Sequence, residues 1–160
     1  MVAVLAGCAG YKLGPTNGAV AGEKSIQVVP FANQTLEPHL TDAVTTEVRK
    51  RFQQDGTYKL DTHGDGDIIL TGVITRYARS ELSVQPGDTF TVRDYRIAIT
   101  AEITARSRTT GQLILDRKVV RAFNMMRTGS DLVSDERQNL PLLAENLAKE
   151  IVSVIAEGSW

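Results

Sequence analysis

Apolar and polar residues alternate between positions 94 and 106, and this alternation constrains the fold more than any other feature of the sequence. Successive side chains of a strand point to opposite faces of its sheet, so the segment predicts a strand with one face on a core and one toward water. The apolar side holds Tyr95, Ile97, Ile99, Ala101, Ile103 and Ala105, and the polar side holds Asp94, Arg96, Thr100, Glu102, Thr104 and Arg106.

Other segments are also typical of strands. Residues 25–31 and 67–80 are rich in β-branched side chains, and apolar positions on both faces of 67–80 indicate a strand in the middle of a sheet. Residues 113–123 return antiparallel to the alternating strand through a turn in which Gly111 supplies a positive φ. The charged pair at 116–117 interrupts the pattern and predicts a β-bulge.

Two segments predict amphipathic helices, residues 37–54 and a second helix beginning near Leu140. Pro38 and Pro141 suit first turns, and Gly56 suits the end of the first helix. The apolar stripes are Leu40, Ala43, Val44, Val48 and Phe52 in the first helix, and Leu140, Leu143, Ala144, Leu147, Ala148, Ile151, Val154 and Ile155 in the second.

These elements predict one α+β domain over residues 25–160. Two helices that each carry one apolar stripe need one sheet face to cover. We therefore expect a two-layer sandwich of two helices on a mostly antiparallel four-stranded sheet, in the order β-α-β-β-β-α. Residues 57–60 additionally suggest a short strand between the first helix and the longer strands.

The composition argues against most chemical functions. One cysteine and two histidines cannot supply a disulfide or a thiolate metal site, and neither histidine stands in a catalytic motif. "HGDGD" at residues 63–67 lacks the spacing of a calcium loop and predicts a turn. Nucleophile elbows and phosphate-binding glycine loops are missing from the sequence. We predict no catalytic residue, no metal and no cofactor, and so no enzyme.

Net charge and hydropathy limit which partners the chain can have. The net charge of -1 gives no overall basic field, which argues against nucleic acid as a partner. No apolar run reaches the roughly 18–20 residues of a membrane-spanning helix. Attachment to a membrane would therefore be peripheral or covalent.

The first residues predict a covalent anchor. "LAGC", ending at Cys8, fits the pattern at which the signal peptides of lipoproteins are cut. The Cys8 thiolate accepts a diacylglyceryl group, and the peptidase then cuts just before Cys8. The amine that this cut frees on Cys8 is acylated in turn, for example with palmitate. Residues 1–7 would be the remnant of a signal peptide, and residues 8–24 a flexible lipidated tether. The alternative is a buried free cysteine.

Arginines cluster where two strands meet at a turn over residues 85–88, and another follows two methionines in a second turn. A guanidinium group forms paired hydrogen bonds with phosphate, so these side chains are candidates for contact with a phosphate-bearing ligand or a partner protein. The alternative is a solvated hairpin end. The candidates are Arg76, Arg79, Arg93, Arg96 and Arg127.

The order of several stretches resembles the LptE family, the lipoproteins of lipopolysaccharide assembly. After Cys8, the stretches are "AGYKLG", "SIQVVPFANQTLEPHL", "GDIILTGVITRY" and "YRIAITAEITARSRTTGQLILDRKV", followed by the closing helix. The resemblance implies a sheet packed on two helices and a non-catalytic protein of the outer membrane, lipid-anchored on its periplasmic side. Such a protein plugs the LptD β-barrel, supports its assembly and helps deliver lipopolysaccharide to the outer leaflet.

Two details of the sequence bear on this resemblance. In the family, basic residues in the loops between strands are associated with lipopolysaccharide binding. The corresponding loop centre at residues 85–87 has no cation here, so the resemblance indicates the region but no specific binding residue. An aspartate directly after the lipidated cysteine would resemble an inner-membrane retention signal. This chain has Ala9 at that position, which favours sorting to the outer membrane. The alternatives are a periplasmic lipid- or ligand-binding lipoprotein that works alone and a periplasmic hydrolase, for which the sequence has no converging catalytic groups.

Overall fold

Six strands and two helices form the part of the chain that the structure describes. This computed structural model describes residues 22–85, 88–127 and 131–158, and the side chains of residues 83–93 lie outside the description. The elements are β1 (Ser25–Val28), β2 (Ala32–Asn33), α1 (Leu40–Asp55), β3 (Lys59–Asp61), β4 (Ile68–Gln85), β5 (Asp88–Ser107), β6 (Leu113–Arg127) and α2 (Leu132–Glu157).

The sheet is mixed, with the order β3-β1-β4-β5-β6 and β2 beside β4. β1 runs parallel to both β3 and β4, while β4, β5 and β6 form an antiparallel meander. The α+β class is therefore confirmed, but the mostly antiparallel four-stranded sheet and its element order were wrong. The helix α1 crosses over between β1 and β3 and returns the chain in the same direction, which makes their pairing parallel.

Both helices contribute to one core on the same side of the sheet. The apolar side of β5 is buried from Ile97 to Ala105, so the predicted alternation is confirmed. Fully buried helical residues that share this core are Leu40, Val44, Val48 and Phe52 of α1 and Leu143, Leu147, Ala148, Ile151 and Ile155 of α2.

The long strands extend well past the predicted segments. β4 and β5 pair from Ile68 opposite Ser107 to Gln85 opposite Asp88. At about 3.3 Å per residue, the 20 residues of β5 span about 65 Å. β4 is central only as far as Ile74, because β1 and β2 pair with its first half and no described strand pairs with that edge further on.

The helix boundaries differ from the prediction at their starts. α1 begins at Leu40, after His39 in a left-handed conformation with φ 65°. Gly56 ends it with φ 73°, as predicted. α2 begins eight residues before Leu140, and Pro141 lies inside the helix on an exposed side. The side chain of Asp131 accepts from the Val133 N–H at 3.1 Å and so caps the earlier start.

The turn before β6 and the bulge within β6 both follow the prediction. Gly111 has φ 69°. Ile103 lies opposite Lys118 while Ala105 lies opposite Leu115, so the residues at 116–117 together oppose one residue of β5. Arg117 adopts φ 43° at this bulge.

Candidate functional site

One side of β4, β5 and β6 faces away from the helices, and we call the part of it nearest the β4–β5 turn the open face. A register shift between Ile74 and Arg76 leaves Thr75 as an extra residue in β4. Residues before the shift face the core at even positions, and residues after it do so at odd positions. The cross-strand rows of the open face are Arg76, Thr100 and Arg121; Ala78, Ala98 and Phe123; and Ser80, Arg96 and Met125.

Arginine and apolar side chains alternate on the open face. The Arg96 guanidinium lies 5.1 Å from the centre of the Phe123 ring, a cation–π contact. Phe123 and Met125 are 56% and 59% exposed, which is unusual for large apolar side chains. Arg76 and Arg121 have no ion-pair partner among the described residues. The surface therefore offers positive charge beside apolar groups.

A carboxylate on the same side of the sheet as these arginines is already paired with another arginine. Glu102 accepts from Nε and Nη2 of Arg117 at 3.0 and 2.9 Å, and the bulge in β6 brings this arginine back over β5. Glu102 lies one row below Arg76 and Arg121. Arg117 consequently compensates the charge of Glu102 locally, so Glu102 does not pair with Arg76 or Arg121.

The other predicted arginines lie elsewhere. Arg79 is on the helix side of the sheet, where its Nη1 lies 2.7 Å from Oε2 of Glu136 in α2. Arg127 pairs with Asp94 at 3.2 Å, and the side chain of Arg93 lies outside the described residues. The structure thus brings Arg76 and Arg96 together on one face and gives Arg79 and Arg127 carboxylate partners.

Arg121 and Phe123 belong to this surface too, although the sequence alone did not indicate them. Positions 120, 122 and 126 of β6 are buried while positions 119, 121, 123 and 125 are exposed. This alternation was the available signal. Its assignment to the same face as Arg96 required the register of β6 against β5, because the bulge shifts that register.

A second charged group links α2 to β4. The Tyr77 hydroxyl donates to Oε1 of Glu136, whose other oxygen accepts from Arg79. Burial, followed by the hydrogen bond to Glu136, holds the pKa of Tyr77 well above its ordinary range. Tyr77 therefore stays protonated as a donor at any physiological pH.

The acidic loop at residues 63–67 is a turn, as predicted. The Asp61 carboxylate accepts from the backbone N–H groups of Gly64, Asp65 and Gly66 at 2.8, 2.8 and 3.1 Å. Burial raises the pKa of Asp61, but the backbone donors together bring it below its ordinary value. The described residues contain no group of three or more His, Cys, Asp or Glu side chains that could hold a metal ion.

The proposed anchor and its tether as far as residue 21 fall outside the described chain, whereas residues 22–24 lie beside β3, with the Gly22 N–H donating to the Thr57 carbonyl at 3.0 Å. Cys8 and the turn centre at residues 86–87 are thus outside the description, so lipidation of Cys8 stays a prediction. Within residues 22–85, 88–127 and 131–158, neither helix is both long enough and apolar enough to cross a membrane.

Comparison with known proteins finds a family model described as LptE, lipopolysaccharide-assembly, which matches residues 23–155. A comparison with curated proteins finds no match.

Solved structures share the fold at low sequence identity. The hypothetical protein CT253 of Chlamydia trachomatis has a TM-score of 0.62 at 10% identity, covering 85% of this chain and 97% of that one. A minor lipoprotein of Acinetobacter baumannii has a TM-score of 0.56 at 14% identity, with 83% and 92% covered. Rare lipoprotein B of Shewanella oneidensis has a TM-score of 0.50 at 18% identity, with 81% and 93% covered.

Proposed function

Because the chain belongs to the LptE family of lipopolysaccharide-assembly lipoproteins, we propose that it occupies the lumen of an LptD-type β-barrel in the outer membrane. There it supports assembly of the barrel and helps pass lipopolysaccharide to the outer leaflet, without catalysing a reaction. Its anchor is the acylated Cys8, on the periplasmic side. This anchor holds the domain at the membrane while the sheet reaches into the barrel.

The open face of the long meander is the observation that carries this proposal. Barrel lumens are lined by polar side chains and water, so their occupant needs a polar surface that can form hydrogen bonds. Thr100 on the open face meets this need, as do Glu102 and Thr104 next to it on the same side of the sheet. The meander of about 65 Å is also longer than the roughly 30 Å hydrocarbon layer that a barrel spans.

The open face also suits an anionic amphiphile such as lipopolysaccharide. Arg76, Arg96 and Arg121 can form paired hydrogen bonds with its phosphates. Phe123 lies between the rows of Arg121 and Arg96, Met125 lies beside Arg96, and both can contact acyl chains. Arg79 and Arg127 would first have to release Glu136 and Asp94, so we expect smaller contributions from them.

Affinity purification from detergent-solubilised membranes tests the first part of the proposal. We expect a large β-barrel to be recovered with the protein in stoichiometric amount. Repeated recovery of the protein alone would contradict the role in a barrel. If such a preparation still bound lipopolysaccharide, a lipid-binding lipoprotein that works alone would be the better description.

Charge reversal on the open face tests the second part. The variant with Arg76, Arg96 and Arg121 changed to Glu is expected to bind purified lipopolysaccharide at least about tenfold more weakly, because two or more phosphate contacts are lost. A control with three other exposed cations changed to Glu, Lys59, Lys118 and Arg137, has the same net charge. Equal loss in the control would indicate a nonspecific charge effect.

A further inference from the structure

A polar groove lies beside the open face, on the same side of the sheet. It has a volume of about 390 Å³ and runs over β4 and β5, where Thr71 pairs with Thr104 and Val73 pairs with Glu102. This volume is within the roughly 300–1,000 Å³ of most small-ligand sites. The polar side chains that line the groove are Gln34, Thr71, Thr75, Glu102, Thr104 and Arg117.

Several of these groups keep hydrogen-bonding capacity that the fold does not use. Both bonds from the Arg117 guanidinium go to Oε2 of Glu102, so Oε1 has no hydrogen-bond partner among the described residues. The side-chain amide of Gln34 has none there either. The Thr104 hydroxyl accepts from the Arg117 N–H at 3.3 Å and can still donate. The groove therefore offers donors and acceptors side by side.

The charges of the groove favour an uncharged, hydroxylated ligand. Arg117 and Glu102 neutralise each other, and mixed donors and acceptors match sugar hydroxyl groups, each of which donates and accepts. A phosphate in the groove would be repelled by Glu102. A peptide strand would need unpaired backbone groups at a sheet edge, whereas β4 and β5 pair with each other beneath the groove.

The groove continues the order of chemical groups along the sheet. Phe123 lies on one side of the row that holds Arg76 and Arg121, and the groove lies on the other side. Glu102 follows Thr100 of that row by two residues, or about 7 Å along β5. In lipopolysaccharide, the phosphates likewise lie between the acyl chains and the core saccharide. The ligand and the sheet therefore match in the order of apolar, charged and hydroxylated parts.

We propose that the groove binds a sugar of the core saccharide of lipopolysaccharide while Arg76 and Arg121 hold the phosphates. This rests on the proposed function, in which lipopolysaccharide lies on the open face. The acyl chains then point toward the β4–β5 turn, and the saccharide points toward the bulge at Arg117. The groove thus sets the direction in which the ligand lies along the sheet.

Two ligands and a double variant test this proposal in the complete protein. Gln34→Ala combined with Thr104→Val removes an amide and a hydroxyl from the groove and leaves the net charge unchanged. We expect it to bind purified lipopolysaccharide about fivefold to thirtyfold more weakly, because about two hydrogen bonds are lost. Lipid A, which has no core saccharide, is expected to bind the variant and the unchanged protein alike. The matched control is Gln53→Ala combined with Thr46→Val, at two exposed positions of α1 on the other side of the sheet.

The binding of lipid A separates the groove from the open face. Undiminished lipid A binding by the double variant shows that the variant is folded and that its open face is intact. Undiminished lipopolysaccharide binding would overturn the groove proposal and leave the role of the open face standing. Equal weakening toward both ligands, or equal weakening in the control, would overturn it too. If the unchanged protein binds neither ligand, the proposed binding of lipopolysaccharide fails, and the groove proposal fails with it.

Discussion

At the scale of single residues, the closest packing constraint lies between β4 and the loop after β1. The Phe31 ring is buried directly against the backbone of Gly72, and a Cβ at position 72 would stand 2.1 Å from its Cε1 atom. Real Cβ atoms do not approach other atoms this closely. The glycine in the middle of β4 is therefore required by a neighbour and not by its backbone conformation.

Gly72→Ala is expected to destabilise the domain by about 1–3 kcal/mol, because the buried ring has to move in a packed core. Chemical denaturation gives the free energy of unfolding. Phe31→Leu serves as the second variant, since a smaller side chain makes room for the methyl group. The double variant should lose less stability than the sum of the single variants, and strict additivity would contradict the steric explanation.

A second constraint at this scale depends on pH. The backbone N–H and hydroxyl of Ser25 donate to Oδ2 of Asp67 at 2.8 and 2.7 Å, and these bonds lower the pKa of Asp67 from its ordinary value of 3.8. Below this value the unfolded chain binds more protons than the folded one. The contribution of Asp67 to stability is thus complete above pH 3.8 and is lost as pH falls through the lowered pKa.

We expect the free energy of unfolding to decline below about pH 4, and to decline less steeply in Asp67→Asn. Asparagine keeps an oxygen acceptor for Ser25 but does not titrate. Denaturation curves between pH 3 and pH 7 measure the difference. If the free energy of unfolding changed with pH in the same way in the two proteins, the Asp67 carboxylate would have the same pKa in the folded and unfolded states.

At the scale of elements, Glu136 joins α2 to β4. Its two carboxylate oxygens accept from the Tyr77 hydroxyl and from Arg79, two positions on the helix side of the sheet. Asn124 and Asn139 add a hydrogen bond of 3.1 Å between β6 and the same part of the helix. These contacts hold the first turns of α2, which precede Pro141, against the sheet.

Glu136→Ala is expected to cost about 1–2 kcal/mol, because it leaves a half-buried tyrosine hydroxyl without its acceptor and breaks a partly screened ion pair. Hydrogen exchange should also become faster in the first turns of α2. Glu145→Ala, which breaks the exposed pair with Lys149 on the same helix, should leave the unfolding midpoint nearly unchanged. Similar losses in both variants would contradict a special role for Glu136.

At the scale of the whole molecule, the two ends of the meander are far apart. The chain enters the sheet at β1, whose Ile26 pairs with Ile68, while the β4–β5 turn follows Gln85 at the other end. The 18 residues of β4 separate these ends by about 60 Å. An anchor on the entering side would therefore leave the open face directed away from it.

Photo-crosslinking from two positions tests this orientation in cells. A photoreactive residue at Thr109, near the entering end, is expected to link to periplasmic segments of the barrel. One at Leu82, nearer the turn, is expected to link to segments further into the lumen. Both positions are exposed, so the substitutions should not disturb the core. Links from both positions to the same end of the barrel would contradict the orientation.

Elements whose signals lie in neighbouring residues could be predicted from the sequence. The alternation around Ile99, the stripes that include Val48 and Leu147, and the turn at Gly111 each depend on neighbouring residues, and the structure confirms them. The parallel pairing of β1 could not be read in this way. Nor could the bond between Arg79 and Glu136, which are 57 residues apart, because it arises when distant segments pack together.

Which arginines share a face depends on how the strands pair in the folded protein. In an unbroken strand, Arg76 would point to the same side as Ile74, into the core. The extra residue Thr75 reverses this, so that Arg76 joins Arg96 on the open face and Arg79 turns toward α2. A bulge is a property of how two strands pair, and the sequence of one strand does not specify its partner.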